Sequence, residues 1–125
     1  MKSISSPNAP AAIGPYSQAV EAGGMIFLSG QIPLDPKTGE LVTGDIQKET
    51  EQVLANLSAV LAAAECTFSN VVRTTIYLTS MSDFQVVNTA YEKAFGAHRP
   101  ARATVAVAAL PKGARVEIDA IAVVG

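Results

Sequence analysis

Near the C-terminus, Arg115, Glu117 and Asp119 alternate with Val116, Ile118 and Ala120. A period of two puts a polar row on one side of a strand and an apolar row on the other. Glu117 then has two readings: a carboxylate in a pocket that handles a proton or a water, or an ordinary partner for a nearby arginine on a partly wet face. Arg102 follows Pro100-Ala101 at the entry to another extended run. Its rigid donor fork suits a small carboxylate better than the single charge of a lysine, and it can equally tie down the adjoining turn. Thr104 shares its side of the strand, as a hydroxyl donor or simply as a β-branched sheet residue. Tyr16 can donate a phenol hydrogen bond to an anion, Gly30 lets a ligand approach backbone closely, and Asn88 offers an amide on a helix; each also has a plain structural reading. His98, in Gly96-Ala97-His98-Arg99-Pro100, reads as a surface histidine at a helix exit rather than a general base. Cys66 reads as a small, partly buried thiol rather than a nucleophile.

With one cysteine and one histidine, the chain has no transition-metal ligand pattern, and no cofactor is demanded. The glycines lack the lysine of a phosphate-binding loop, and Ser29-Gly30 lacks the surroundings of a serine hydrolase elbow. A chain of 125 residues, 49 % apolar, fits one domain over residues 1–125 and can bury roughly two thirds of its unfolded surface without a disulfide. Nine basic against eleven acidic side chains argue against a mainly electrostatic nucleic-acid binder. The opening Met1 to Pro15 has no leader-like apolar run, no stretch is long enough to span a membrane, and Cys66 has no internal partner; the expectation is a reducing, cytoplasmic setting.

The elements that must position these residues follow from patterning. Tyr16 to Glu21 and Met25 to Ser29 read as a hairpin across Gly23-Gly24. Asp45 to Glu65 carries the stripe Ile46, Val53, Leu54, Leu57, Val60, Leu61 and Ala64 of an amphipathic helix, with Asp45 as its cap. Val71 to Leu78 alternates, with Val72, Thr74, Ile76 and Leu78 on one side. A second helix starts with Ser82 as cap, Gln85 replying and Met81 packed on Val86, continues through Phe84, Val87, Tyr91, Ala94 and Phe95, and stops at Gly96. Ala101 to Ala108 and Arg115 to Val124 are extended runs, expected to neighbour each other across the break at Pro111 and Gly113. The order predicts an α+β unit whose mixed sheet is shielded on one face by two helices. Val71, Thr75, Tyr77, Ile121 and Val123 fall on the other face, which either meets another subunit or is mixed solvent surface.

Several segments together resemble the RidA/YjgF/UK114 family of reactive enamine/imine deaminases: Asn8 to Tyr16, Ser29-Gly30-Gln31-Ile32-Pro33, Pro100-Ala101-Arg102, Leu110-Pro111 and Val116 to Ala122. The resemblance spans nearly the whole chain. It implies a chorismate-mutase-like α+β protomer, a homotrimer with ligand pockets at subunit boundaries, and hydrolysis of small 2-enamino or 2-imino acids to 2-oxo acids and ammonia without a cofactor. It also implies that Arg102 anchors the ligand carboxylate, that Glu117 positions water or transfers a proton, and that Tyr16, Gly30, Asn88 and Thr104 line the pocket. Thr104 stands where many relatives carry cysteine. Within the family, a metabolite-binding or chaperone-like trimer and an RNA-cleaving or translation-inhibiting protein are the alternative readings.

Overall fold

The computed structural model describes all residues, 1–125. The long apolar stripe folds as predicted: helix α1 runs Ile46–Ala63 and buries Val53, Leu54, Leu57, Val60 and Leu61. Asp45 caps it, its carboxylate accepting from the Gln47 amide at 2.8 Å. The strands are β1 (Lys2–Ile4), β2 (Ala19–Ala22), β3 (Met25–Gln31), β4 (Val71–Leu78), β5 (Ala101–Ala106) and β6 (Val116–Val123), and the second helix, α2, runs Phe84–Phe95. One six-stranded sheet joins them in the order β1-β2-β3-β6-β4-β5. Every pairing is antiparallel except β4 with β5.

Four expectations need correction. β5 and β6 are not neighbours, because β4 lies between them. The crossover through α2 lays β5 parallel along one edge of β4, leaving the other edge for β6, which pairs antiparallel with both β4 and β3. The turn at Pro111 and Gly113 marks a break in the chain and carries no information about which strand the next run will join.

In β4 it is Val71 that enters the core, while Val72 is 44 % exposed. The pairing shifts between Val71 and Arg73, and an extra residue at such an irregularity exchanges the faces before it. The start of α2 also lies elsewhere: Ser80, rather than Ser82, accepts from a backbone amide (Ser82 N, 3.3 Å), and a 3₁₀ turn over Met81–Asp83 precedes the helix. Met81 and Val86 remain substantially exposed, so no buried staple forms. Finally, β1 pairs with β2, although the patterning predicts no strand before Tyr16. Gly96, at φ 64°, stops α2 as anticipated.

Both helices share one apolar core with the inward rows of the sheet, among them Ile26, Leu28, Ile76, Leu78, Val116 and Ile118. Loss of a side chain such as Leu57, which is 1 % exposed, costs about 2–5 kcal/mol at sites of this kind. The opposite face has no layer over it and leaves Phe27, Val105 and Val123 exposed. No helix is long and apolar enough to cross a membrane.

Candidate functional site

Arg102 stands on the edge strand β5 opposite Thr74, which in turn faces Ala120 on β6. That register puts Arg102 on the helix side of the sheet. Its Nη1 donates to Asn88 Oδ1 at 2.8 Å, and its guanidinium carbon lies 4.9 Å from the centre of the Tyr91 ring and 5.8 Å from that of Phe84. These partners occupy one face of α2, since 84, 88 and 91 are spaced by four and three residues. The ring faces attract the cation, and the amide fixes its rotation. Nε and Nη2 have no protein acceptor and point a donor edge outward. Tyr91 is held in turn by a 2.7 Å hydrogen bond between its hydroxyl and Thr74 Oγ1. Burial pushes its phenol up, against the opposing effects of that hydrogen bond and the Arg102 charge.

A cleft of about 420 Å³ opens at this point, lined by Asn88, Tyr91, Glu92, Arg99, Pro100 and Arg102. Two residues along, Thr104 faces the same way, paired with Ile76. Its Oγ1 is buried without a hydrogen-bond partner. Thr104 does not line the cleft, and its closed-off hydroxyl, left unmatched, costs about 1–3 kcal/mol.

Glu117 belongs to a different place. It lies opposite Tyr77 and so faces away from the helices. It is half-buried, and burial, followed by the negative charge of Asp119, raises its carboxyl above the ordinary carboxylate range. Gly30 makes room for it: a Cβ on that residue would come within 2.9 Å of Glu117 Cδ. Tyr77 donates its hydroxyl to Asp119 Oδ2 at 2.9 Å, and that bond, with burial, raises the phenol.

Arg115 does not complete the polar row. The chain bends there, and its guanidinium turns to the buried Glu49 of α1, with Nη2 at 2.5 Å and Nε at 3.2 Å from the same oxygen. The Glu49 carboxylate holds the guanidinium above its ordinary value. Glu117 forms no ion pair with any arginine of its chain, which corrects its reading as the partner of a nearby one.

Tyr16 is 53 % exposed and lines a smaller cavity of about 170 Å³ with Gln31, the residue after Gly30, and Lys112. Its loop is anchored by Gln18, which accepts from Ser6 N at 2.6 Å and donates to Pro10 O at 2.7 Å. Of the six site residues expected from sequence, then, the fold groups Arg102, Asn88 and Thr104 on one side of the sheet and Glu117 with Gly30 on the other. Tyr16 stands in the N-terminal loop.

His98 is half-buried rather than a free surface residue: its Nε2 donates to Val71 O at 2.6 Å and joins the exit of α2 to the start of β4. Cys66 is buried, and burial pushes its thiol up. No three His, Cys, Asp or Glu side chains converge as a metal site. The aromatic bed under Arg102 was missed, because Phe84 and Tyr91 read as core. Their spacing around Asn88 was the available signal.

The family model described as endoribonuclease L-PSP matches residues 6–124. The chain is 60 % identical to Protein DfrA of Myxococcus xanthus over 98 % of its own length and 95 % of that protein's. It is 55 % identical to the 2-iminobutanoate/2-iminopropanoate deaminase of Mus musculus over 99 % and 92 % of the two chains. Among solved structures, TdcF of E. coli with bound serine superposes with a TM-score of 0.96 at 41 % identity, covering all of both chains.

Proposed function

From the premise that this chain belongs to the RidA/YjgF family, we propose that it hydrolyses small reactive 2-imino acids and their 2-enamino tautomers to 2-oxo acids and ammonia. The mammalian relatives named for this reaction are 51 %, 52 % and 55 % identical to the chain over 98–99 % of its length. The observation that carries the reading onto this chain's own chemistry is the Arg102 guanidinium. It is fixed by Asn88 over Tyr91 and offers its free Nε and Nη2 edge in a cleft of amino-acid size. That edge matches a carboxylate in two-point contact. Serine, the ligand named for TdcF, carries the same carboxylate.

In the proposed reaction Arg102 binds the substrate carboxylate, and Asn88 keeps the guanidinium in register. The family resemblance gives Thr104 a place in the pocket wall beside Arg102, on the same side of the strand. Glu117 holds a water and takes one of its protons as the oxygen attacks the C=N carbon of the protonated imine, leaving a neutral carbinolamine. Glu117 returns that proton to nitrogen and then takes the hydroxyl proton as the C–N bond breaks, so that ammonia leaves, the C=O of the 2-oxo acid forms, and the last proton passes to ammonia. Gly30 and Tyr16 complete the wall beside Glu117. The chain needs no cofactor in this scheme. A reducing, cytoplasmic setting suits the single, unpaired Cys66.

Glu117 and Arg102 lie on opposite faces of one sheet, so the scheme needs two chains, one supplying each residue. We take the assembly to be a homotrimer of chorismate-mutase-like protomers, as the family resemblance implies. The uncovered Phe27, Val105 and Val123 are the apolar surface such an assembly would bury. The description endoribonuclease favours an RNA-cleaving alternative. Against it stand the net charge of −2 and the engagement of Arg99 and Arg115 by Glu92 and Glu49. A binding-only or chaperone-like trimer is the other alternative, and turnover separates it from the enzyme.

The test is a coupled assay that generates 2-aminoacrylate in place and follows 2-oxo acid and ammonia, with native mass spectrometry on the same sample. Arg102→Ala should keep its assembly and lose about 100-fold in kcat/KM, equivalent to about 3 kcal/mol of lost carboxylate contact. Unchanged turnover in that folded variant would overturn the anchor.

A further inference from the structure

Glu117 shares its side of the sheet with one close charge. Asp119 stands two residues along β6, and on β4 Tyr77 lies directly opposite Glu117 while Thr75 lies opposite Asp119. On the other flank Gly30 packs against Glu117, and β3 contains no charged residue. Arg115 is drawn away to Glu49, with Asp45 and Asp83 also near it. Lys112, in the preceding turn, lines the cavity beside Tyr16. Arg73, the remaining cation on this face, lies opposite Ile121, four residues along from Glu117 and two from Asp119, and forms an ion pair with neither. At strand spacing its backbone is about 13 Å from that of Glu117, while it is a diagonal neighbour of Asp119 at about 7–8 Å.

Two carboxylates therefore sit side by side, neither of them in an ion pair with a cation of its own chain. Only one of them, Asp119, receives a side-chain hydrogen bond, from Tyr77. We propose that Asp119 is a positioning residue for the reaction, its negative charge fixed in place by the Tyr77 hydroxyl and setting the pH at which Glu117 releases its proton. This rests on Glu117 being the proton-handling group of the function proposed above. The hydrogen bond holds the Asp119 carboxylate in place beside Glu117, whose own carboxyl receives no such donor and is left to burial. Glu49 contributes at a distance, because it occupies the arginine that would otherwise be available to neutralise the pair. The Glu117 carboxyl, raised first by its burial and then by Asp119, agrees with this arrangement.

The experiment is the pH profile of kcat/KM on a 2-imino acid generated in place by an excess of amino-acid oxidase, for the parent, Asp119→Asn, Asp119→Glu and Glu117→Gln. A second readout follows the Glu117 carboxyl carbon by NMR of carbon-13 glutamate-labelled protein, assigned by its loss in Glu117→Gln. Asp119→Asn should move both the acid limb and the NMR titration to lower pH by on the order of one unit, since a like charge about two residues away on the same face is removed. Asp119→Glu should restore both. If Asp119→Asn does not fold, Asp119→Ser removes the same charge and is read in the same way. An unmoved limb and titration in the folded variant, with Glu117→Gln inactive, would overturn the role of Asp119 alone. A fully active Glu117→Gln would instead overturn the reading of Glu117 on which the inference rests.

Discussion

Two variants that are each inactive should restore activity when assembled together. Thr74 ties Arg102 to the row that contains Ala120, and Tyr77 ties Glu117 to the opposite row. Side chains on opposite faces of a sheet cannot close on one small ligand by rotamer change, since the backbone layer lies between them. If each site takes Arg102 from one chain and Glu117 from the next, Arg102→Ala and Glu117→Gln damage opposite halves of it. With equal co-expression and random assembly, the chance that a site draws both intact halves is one half times one half, so about a quarter of the sites recover. Differently tagged copies purified as mixed trimers, which discards the single-variant quarter, have one intact site in three; checked by native mass spectrometry and assayed on fresh 2-aminoacrylate, they should reach about a third of the parent rate per chain. Mixed assemblies no more active than either variant alone would refute the reasoning, because that result requires both residues to serve a site from the same chain.

Gly30→Ala should retain its circular dichroism and lose at least about tenfold in kcat/KM, because the added methyl occupies space now held by the Glu117 carboxylate. A parent-like rate would show that the carboxylate's position does not matter. Glu117 also leaves a signature in stability. Its raised carboxyl means that the folded chain binds the proton more tightly than the unfolded chain, so its contribution to stability is complete below the ordinary 4.5 and is lost as pH rises through the raised value. Glu117→Gln escapes that loss, and its Tm relative to the parent should be higher at about pH 7 than at about pH 4. A difference in Tm that is independent of pH would argue against a desolvated carboxyl at this position.

Local order was legible in the chain wherever neighbouring residues carry the cause. The period of Val53, Leu54, Leu57, Val60 and Leu61 made α1, Gly96 ended α2, and alternation through Val116, Ile118, Ala120 and Ala122 marked a strand with one buried side. Arg102, Asn88 and Thr104 were picked out one by one, and the structure brings them together. Other contacts that shape the two faces of the sheet join segments distant in sequence. The Arg115–Glu49 pair spans 66 positions, and the Tyr77–Asp119 hydrogen bond spans 42.

Residue types and their period thus decided the two helices, the longer strands and the polar side of β6, because these preferences act over a few neighbouring positions. Tertiary structure decided that β6 would enter between β3 and β4, that Arg115 would leave the row it seemed to begin, and that Arg102 and Glu117 would be parted by the sheet. Strand partners are chosen by how distant apolar rows and free edges fit together once the helices have claimed one face. That competition is settled across the whole fold, and no stretch of a few residues contains its outcome.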